Sequence, residues 1–397
     1  MILEEKKYAY LPEDILIQLL KDSPKTAKKI SEKINFNKKD IKKGREQLVQ
    51  QNLIKKIDNN DYTYDLIAVD GANIIEHMTS SDLLMAIAVG VEGLQKNPSY
   101  KWKGNKAEQF YQWQEVLPHH VANTRLAQGI MFLMELSILA NAKHEIRIMD
   151  GSHITSILKL NSLLSAKDDE FADEEYVKAL SYFLQENYEK VIPDIPDILQ
   201  EAFQNSNIIA LAKYSSSRDI LDSYLKDLQI IGDDKTFFSL ILHEDEYTVP
   251  LKIGQSEKER KQWEMIHIKC NLDIRDLSEN DKKTLNESLD KTLNYFRPQK
   301  EGNLYYLYYK PFENGICYRI EIKKELADNT TLLEKYLKSI KKQTFYPEIL
   351  EPYPQYLADM IAKNISFSMQ ALKQAIRSNR ELLNNETFHL LFSYRSQ

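Results

Sequence analysis

Two short segments restrict the fold more than anything else in the chain. Leu66-Ile67-Ala68-Val69 is an apolar run closed by Asp70-Gly71, and the run Ile146-Arg147-Ile148-Met149 is closed in the same way by Asp150-Gly151. Runs of this length and character are what a strand in the middle of an α/β sheet requires, because both of its faces are covered. A glycine after the acid lets the chain turn sharply or lets another group approach the backbone. Carboxylates at the carboxyl ends of such strands are where α/β sheets place metals and phosphates. One Asp-Gly is an ordinary turn, but two of them on strands expected to be neighbours point to a site.

A third carboxylate lies between them. Val121–Ala142 reads as a long, mostly apolar helix in which Glu135 is the only charge between Arg125 and Lys143. A lone buried carboxylate is costly unless it is paired. Its partner is either a buried Arg or Lys, or a divalent cation shared with Asp70 and Asp150. These segments offer hard oxygen ligands and no Cys or His, which suits Mn²⁺ or Mg²⁺ rather than zinc. Two Asp and one Glu converging on such an ion fit phosphodiester hydrolysis, with the cation activating water and neutralising charge on the leaving oxygen.

The rest of the pattern is α/β. Leu83–Val91 and Ile208–Lys213 read as strands, Ile154–Leu164 and Glu174–Tyr188 as helices, and residues 166–175, with six acids, as an exposed loop. Phe237–Ile253 and Leu304–Lys324 alternate as antiparallel strands do, so the tyrosine pairs at 305-306 and 308-309 read as sheet packing. A long helical tail starts near Tyr356. This gives one core of residues 66–397, a mixed sheet with flanking helices. Ahead of it, residues 1–65 read as a separate winged-helix-like module: Leu11–Lys21 ended by Ser23-Pro24, Thr26–Ile34, a third helix from residues 37–38 to Gln51, then a hairpin turning at Asn59-Asn60. Residues 1–56 carry an excess of six positive charges although the whole chain is at −6. Such a basic head suits contact with DNA, or a docking role.

Several classes are excluded. The apolar runs are too short or too interrupted to span a membrane, and the N-terminus shows no secretory signal. The two cysteines are far apart, without a CxxC pair; together these features suggest a cytoplasmic protein. No GxxxxGK[ST] occurs, so the chain has no ATP-hydrolysing P-loop of its own. His119-His120 reads as an isolated loop feature.

AVDGA (68–72), MDGS (149–152) and PYPQYLADMIAK (352–363) together resemble, in order and spacing, the landmarks of the NurA nucleases. The resemblance spans roughly residues 66–397. It implies an RNase H-like core, a DNA substrate, Mn²⁺ or Mg²⁺, a homodimer, and work alongside a HerA-like hexameric ATPase in DNA end processing or anti-phage defence. On the matching positions Asp70, Glu135 and Asp150 would hold the metal. Tyr353 matches the family's C-terminal tyrosine, with packing at a helix entry as its other reading. Lys213 matches a lysine that follows a strand, either a phosphate contact or an exposed strand end. The sequence departs from the family in carrying Ile361 where a histidine is usual, with Asp359 as a nearby substitute ligand, and in reading Asp-Gly-Ala-Asn at the first motif. The expectation is a metal-dependent DNA nuclease; the alternative is a non-cleaving adaptor that binds a HerA-like ring and DNA.

Overall fold

A computed structural model of the chain describes residues 12–33, 37–58, 63–94, 109–164, 178–180, 182–183, 195–254, 278–295 and 303–379. Most of the helix expected at 174–188 and all of the acidic segment at 166–175 lie outside these residues.

Helices α1 (Glu13–Lys33) and α2 (Lys38–Gln50) precede β1 (Ile54–Lys56), β2 (Leu66–His77), β3 (Asp82–Glu92) and β4 (Phe110–Leu117). Next come α3 (Asn123–Asn141), β5 (Ile146–Asp150), α4 (His153–Leu164), α5 (Ile195–Gln204) and β6 (Ile208–Ala212). The second half holds α6 (Asp219–Tyr224), α7 (Asp234–Ile241), β7 (Glu246–Thr248), β8 (Leu251–Lys252), β9 (Leu304–Lys310) and β10 (Tyr318–Lys323). It closes with α8 (Thr330–Lys342), α9 (Tyr353–Lys363) and α10 (Ile365–Arg377).

The ten strands among the described residues form one mixed sheet in the order β1-β7-β9-β10-β6-β5-β2-β3-β4, with β8 on β9. One end is an antiparallel meander, β2-β3-β4, whose first strand is paralleled by β5 and then β6. This is the strand order of the expected RNase H-like core. The remaining strands extend the sheet antiparallel from β6. Residue parity assigns the two layers: Ile67, Val69 and Met149 pack with α3, α4 and α5, while Leu66, Ala68, Ile146, Ile148 and Leu211 pack with α8.

The Asp70 run does not end its strand, as the sequence suggested. β2 continues to His77, paired with β3 along its length. What stops near Asp70 is the parallel pairing, which reaches only Val69 because β5 ends at Asp150. Beyond that point β2 is only half-buried, so its apolar pattern fades while the strand persists. The segment 237–253 opens as helix α7 rather than strand, because the Asp233 side chain accepts from the Thr236 N–H and caps it.

The N-terminal segment also departs from expectation. Pro24 lies inside the continuous helix α1. The Leu20 carbonyl that a proline nitrogen cannot serve accepts instead from the Ser23 hydroxyl at 2.8 Å. β1 pairs antiparallel with β7 and so joins the main sheet; residues 59–62, where the expected hairpin would turn, lie outside the described residues. On α2, Gly44 and Leu48 are buried, with Gly44 against Phe237, and Arg45 makes a two-pronged pair with Glu246 at 2.7 and 2.8 Å. Arg45 is therefore a strut, whereas Lys38, Lys39, Lys42 and Lys43 stay exposed. Among the described residues no helix is long and apolar enough to cross a membrane.

Arg45→Ala should lower stability by about 2 kcal/mol, less than the ~3–5 kcal/mol of a fully buried pair, because it strands the Glu246 carboxylate. Adding Glu246→Gln to that variant should recover part of the loss. Urea unfolding midpoints of the three proteins measure this, and equal midpoints would contradict the strut role.

Candidate metal centre

Asp70 and Asp150 share their parity with the α8-facing residues, so they leave the sheet on the same side, where the parallel pairing of β2 and β5 stops. Lys213 follows β6, the next strand over, and its Nζ lies 2.9 Å from Asp150 Oδ2. Gly151 has φ +99°, a conformation that favours glycine, and there the chain leaves β5 for α4.

Across these strand ends lies α9. Pro352 and Pro354 flank its start, and Tyr353 is anchored there by its N–H to the Gln343 carbonyl and by its ring edge on Phe345, 5.5 Å between centroids. Gln355 and Asp359, four apart on α9, share a helical face, and Glu351 lies just before the helix start. Gln355, fully buried, donates to Asp150 Oδ1 at 2.6 Å and to the Leu211 carbonyl at 3.3 Å. Lys213 Nζ lies 3.2 Å from Asp359 and 3.4 Å from Glu351. One oxygen each of Asp70, Asp150 and Asp359 lie within 4.8 Å of one another.

Glu135 comes from the opposite layer. Gly71 points toward α3, and a Cβ placed there would stand 2.6 Å from Glu135 Oε1, 2.7 Å from Met131 Cγ and 2.9 Å from the Ile87 carbonyl oxygen. The bare backbone at Gly71 is thus what brings the Glu135 carboxylate up to the sheet beside Asp70. Glu135 is fully buried, and burial first, then the charges of Asp70 and Asp150, hold its carboxyl well above the usual range. Burial and Asp150 likewise push Asp70 up to about 8, against the pull of Lys213. Burial works against the Lys213 charge, but Asp150, Glu351 and Asp359 outweigh it and raise its pKa.

The donor set fits a hard divalent cation. Asp150, Glu351 and Asp359 surround the Lys213 ammonium, burial raises the carboxyls of Asp70 and Glu135 above the normal range, and Gln355 Oε1 is buried without a hydrogen-bond partner. Asp70, Glu135, Asp150 and Asp359 are the residues that could hold such an ion. Of the residues singled out from sequence, the structure gathers Asp70, Asp150, Lys213 and Asp359, sets Glu135 behind Gly71, and keeps Tyr353 at the entry of α9. Ile361, at the position of the missing histidine, is exposed and off the inward face. Gln355 and Glu351 are not among the residues the sequence pointed to; the four-residue spacing of Gln355 to Asp359 on one helix was the available signal.

The family model of the NurA domain matches residues 16–363. No curated protein sequence matches the chain. Among solved structures, the NurA nuclease from Sulfolobus solfataricus aligns over 93% of this chain and 100% of its own, at 14% identity and a TM-score of 0.51. A NurA bound to dAMP and manganese aligns over 89% and 96%, at 12% identity and a TM-score of 0.48.

Gly71→Ala should displace Glu135, lowering stability by about 1–3 kcal/mol and divalent-ion affinity at least tenfold; unfolding curves and ion titration read the two effects. The Asp70 shift sets a pH dependence. The unfolded chain ionises this group near the ordinary ~4 and the folded chain near 8, so folding keeps a proton between those values and stability falls as pH rises through them. Calorimetry of the metal-free protein should show Tm declining from pH 5 to pH 8.5, with Mn²⁺ restoring it at the alkaline end. A flat profile would contradict the clustered charge.

Proposed function

The chain belongs to the NurA family, and from that premise we propose that it is a divalent-metal-dependent deoxyribonuclease. The carrying observation is the convergence of Asp70, Asp150 and Asp359 within 4.8 Å at the ends of parallel strands, with Glu135 entering behind Gly71. These four would hold Mn²⁺ or Mg²⁺, which when bound supplies a Lewis acid and an activated water for phosphodiester hydrolysis.

The chain's own residues account for the rest. Gln355 fixes one oxygen of Asp150, and Lys213 pairs with the other. Lys213 brings a positive charge to the cleft, where a phosphate of the substrate would meet it. Tyr353 seats α9, and through it Gln355 and Asp359. A cavity of about 500 Å³ opens beside the centre, lined by Ser152, Tyr214, Ser215, Ser217, Arg218 and Arg319. Asp219, Asp222 and Glu321 line it too, with Arg218 paired to Asp222 and Arg319 to Glu321, so its serine hydroxyls are the groups placed for a phosphate, and Tyr214, at 92% exposure, offers a ring for a base.

The absence of a P-loop motif leaves the chain without a motor, so the reading extends to a HerA-like hexameric ATPase as partner and to a homodimer as the working form, in DNA end processing or anti-phage defence. The exposed lysines of α2 would add phosphate contacts, as the winged-helix reading of the head implies.

Purified protein with Mn²⁺ and linear DNA should cleave, and Asp70→Ala and Asp150→Ala should each reduce cleavage at least a hundredfold. Cleavage surviving both substitutions would overturn this reading. No cleavage with or without the ATPase would favour the adaptor.

A further inference from the structure

The far end of the β2-β3-β4 meander carries a second cluster of different chemistry. β2 runs on seven residues past Asp70, about 23 Å at ~3.3 Å per residue, and ends at His77. The register sets His77 opposite Asp82, and Asp82 opposite Leu117 of β4. His119 follows two residues after Leu117 and is not the isolated loop feature that the sequence suggested. Its Nδ1 lies 2.7 Å from Asp82 Oδ1, and His77 Nδ1 lies 2.6 Å from that same oxygen. One donor atom from each of the three lies within 4.8 Å of the others.

Three further features fit a ligand set. Asp82 is 2% exposed, and Asn123 holds its other oxygen at 2.7 Å while also donating to the Pro118 carbonyl, so the carboxylate is oriented from behind. The backbone of Thr79 and Met78 also hydrogen-bonds the His119 ring. Both imidazoles are open to solvent, with side chains 65% and 45% exposed, which leaves an entry path and a position for water.

We propose that His77, Asp82 and His119 form a second metal site, taking a borderline transition ion of the Zn²⁺ type and separate from the all-oxygen centre at Asp70. Two imidazoles and one carboxylate are the donors such ions select, whereas Mg²⁺ favours oxygen. Tetrahedral bonds of about 2.0–2.1 Å put neighbouring ligand atoms ~3.4 Å apart. The two contacts to Asp82 must therefore open by less than ~1 Å, which the exposed rings can do by rotation. A bound ion ties the β2-β3 turn to the segment leading into α3, the helix that carries Glu135.

The test uses the full chain carrying Asp70→Asn and Asp150→Asn, which silence the acidic centre, stripped of metal by chelation. Co²⁺ should give a saturable visible band at one equivalent that Zn²⁺ displaces. Adding His77→Ala or His119→Ala should weaken Zn²⁺ binding about tenfold or more. Zn²⁺ should raise Tm in the parent and not in the histidine variants, each measured against its own metal-free Tm, since losing a partner of the buried Asp82 lowers the starting value. A Co²⁺ band that never saturates would overturn the proposal, as would histidine variants that bind like the parent; the trio would then be hydrogen-bonded only.

Discussion

Carboxylates gathered in a half-buried cleft repel one another and lose hydration, a cost that Lys213, and Lys363 at Asp359, partly offset. Asp70, Glu135, Asp150 and Asp359 come from two strands and two helices lying in different layers. No local preference gathers them. The sheet, whose core is covered on both faces, supplies the rigidity to hold them against their repulsion, and the shifted carboxyls of Asp70 and Glu135 are the electrostatic record of it. A cation that favours this arrangement binds a preformed site and stabilises the fold by mass action.

Gly71 and Gln355 show how the layers are brought to register. Side chains alternate along a strand, so Asp70 and a residue at 71 must face opposite layers. With glycine there, α3 approaches closely enough for its carboxylate to reach the sheet. On the other side, Gln355 bridges α9 to the ends of β5 and β6 through Asp150 and the Leu211 carbonyl. The centre is thus clamped between the two layers instead of resting on a loop.

Much of this was legible in the amino-acid order. The apolar runs before Asp70 and Asp150 marked buried parallel strands, and the isolated charge in α3 marked Glu135, because such residues have few other places to go. What stayed hidden depends on long-range register. The continuation of β2 to His77 had no hydrophobic signal, since that half is only partly covered. The α1 helix across Pro24 and the commitment of Arg45 to Glu246 rest on single side-chain partners that composition does not reveal. Glu351 and Gln355 looked like ordinary residues around a proline-rich helix start until α9 was seen to lie over the strand ends.

The geometry of α9 also bears on the histidine that this chain lacks. A helix advances 100° per residue, so position 361 lies about 200° away from Asp359 and cannot share its inward face. Restoring histidine at Ile361 would place an imidazole on the exposed side unless α9 rotated, and rotation would break the Gln355 contacts to Asp150 and Leu211. Asp359 instead offers an oxygen to the centre, and Lys363, one turn further, pairs with its other oxygen at 2.6 Å. An oxygen from Asp359 is a hard donor, of the kind that Mg²⁺ and Mn²⁺ select, unlike the imidazoles of the cluster at His77.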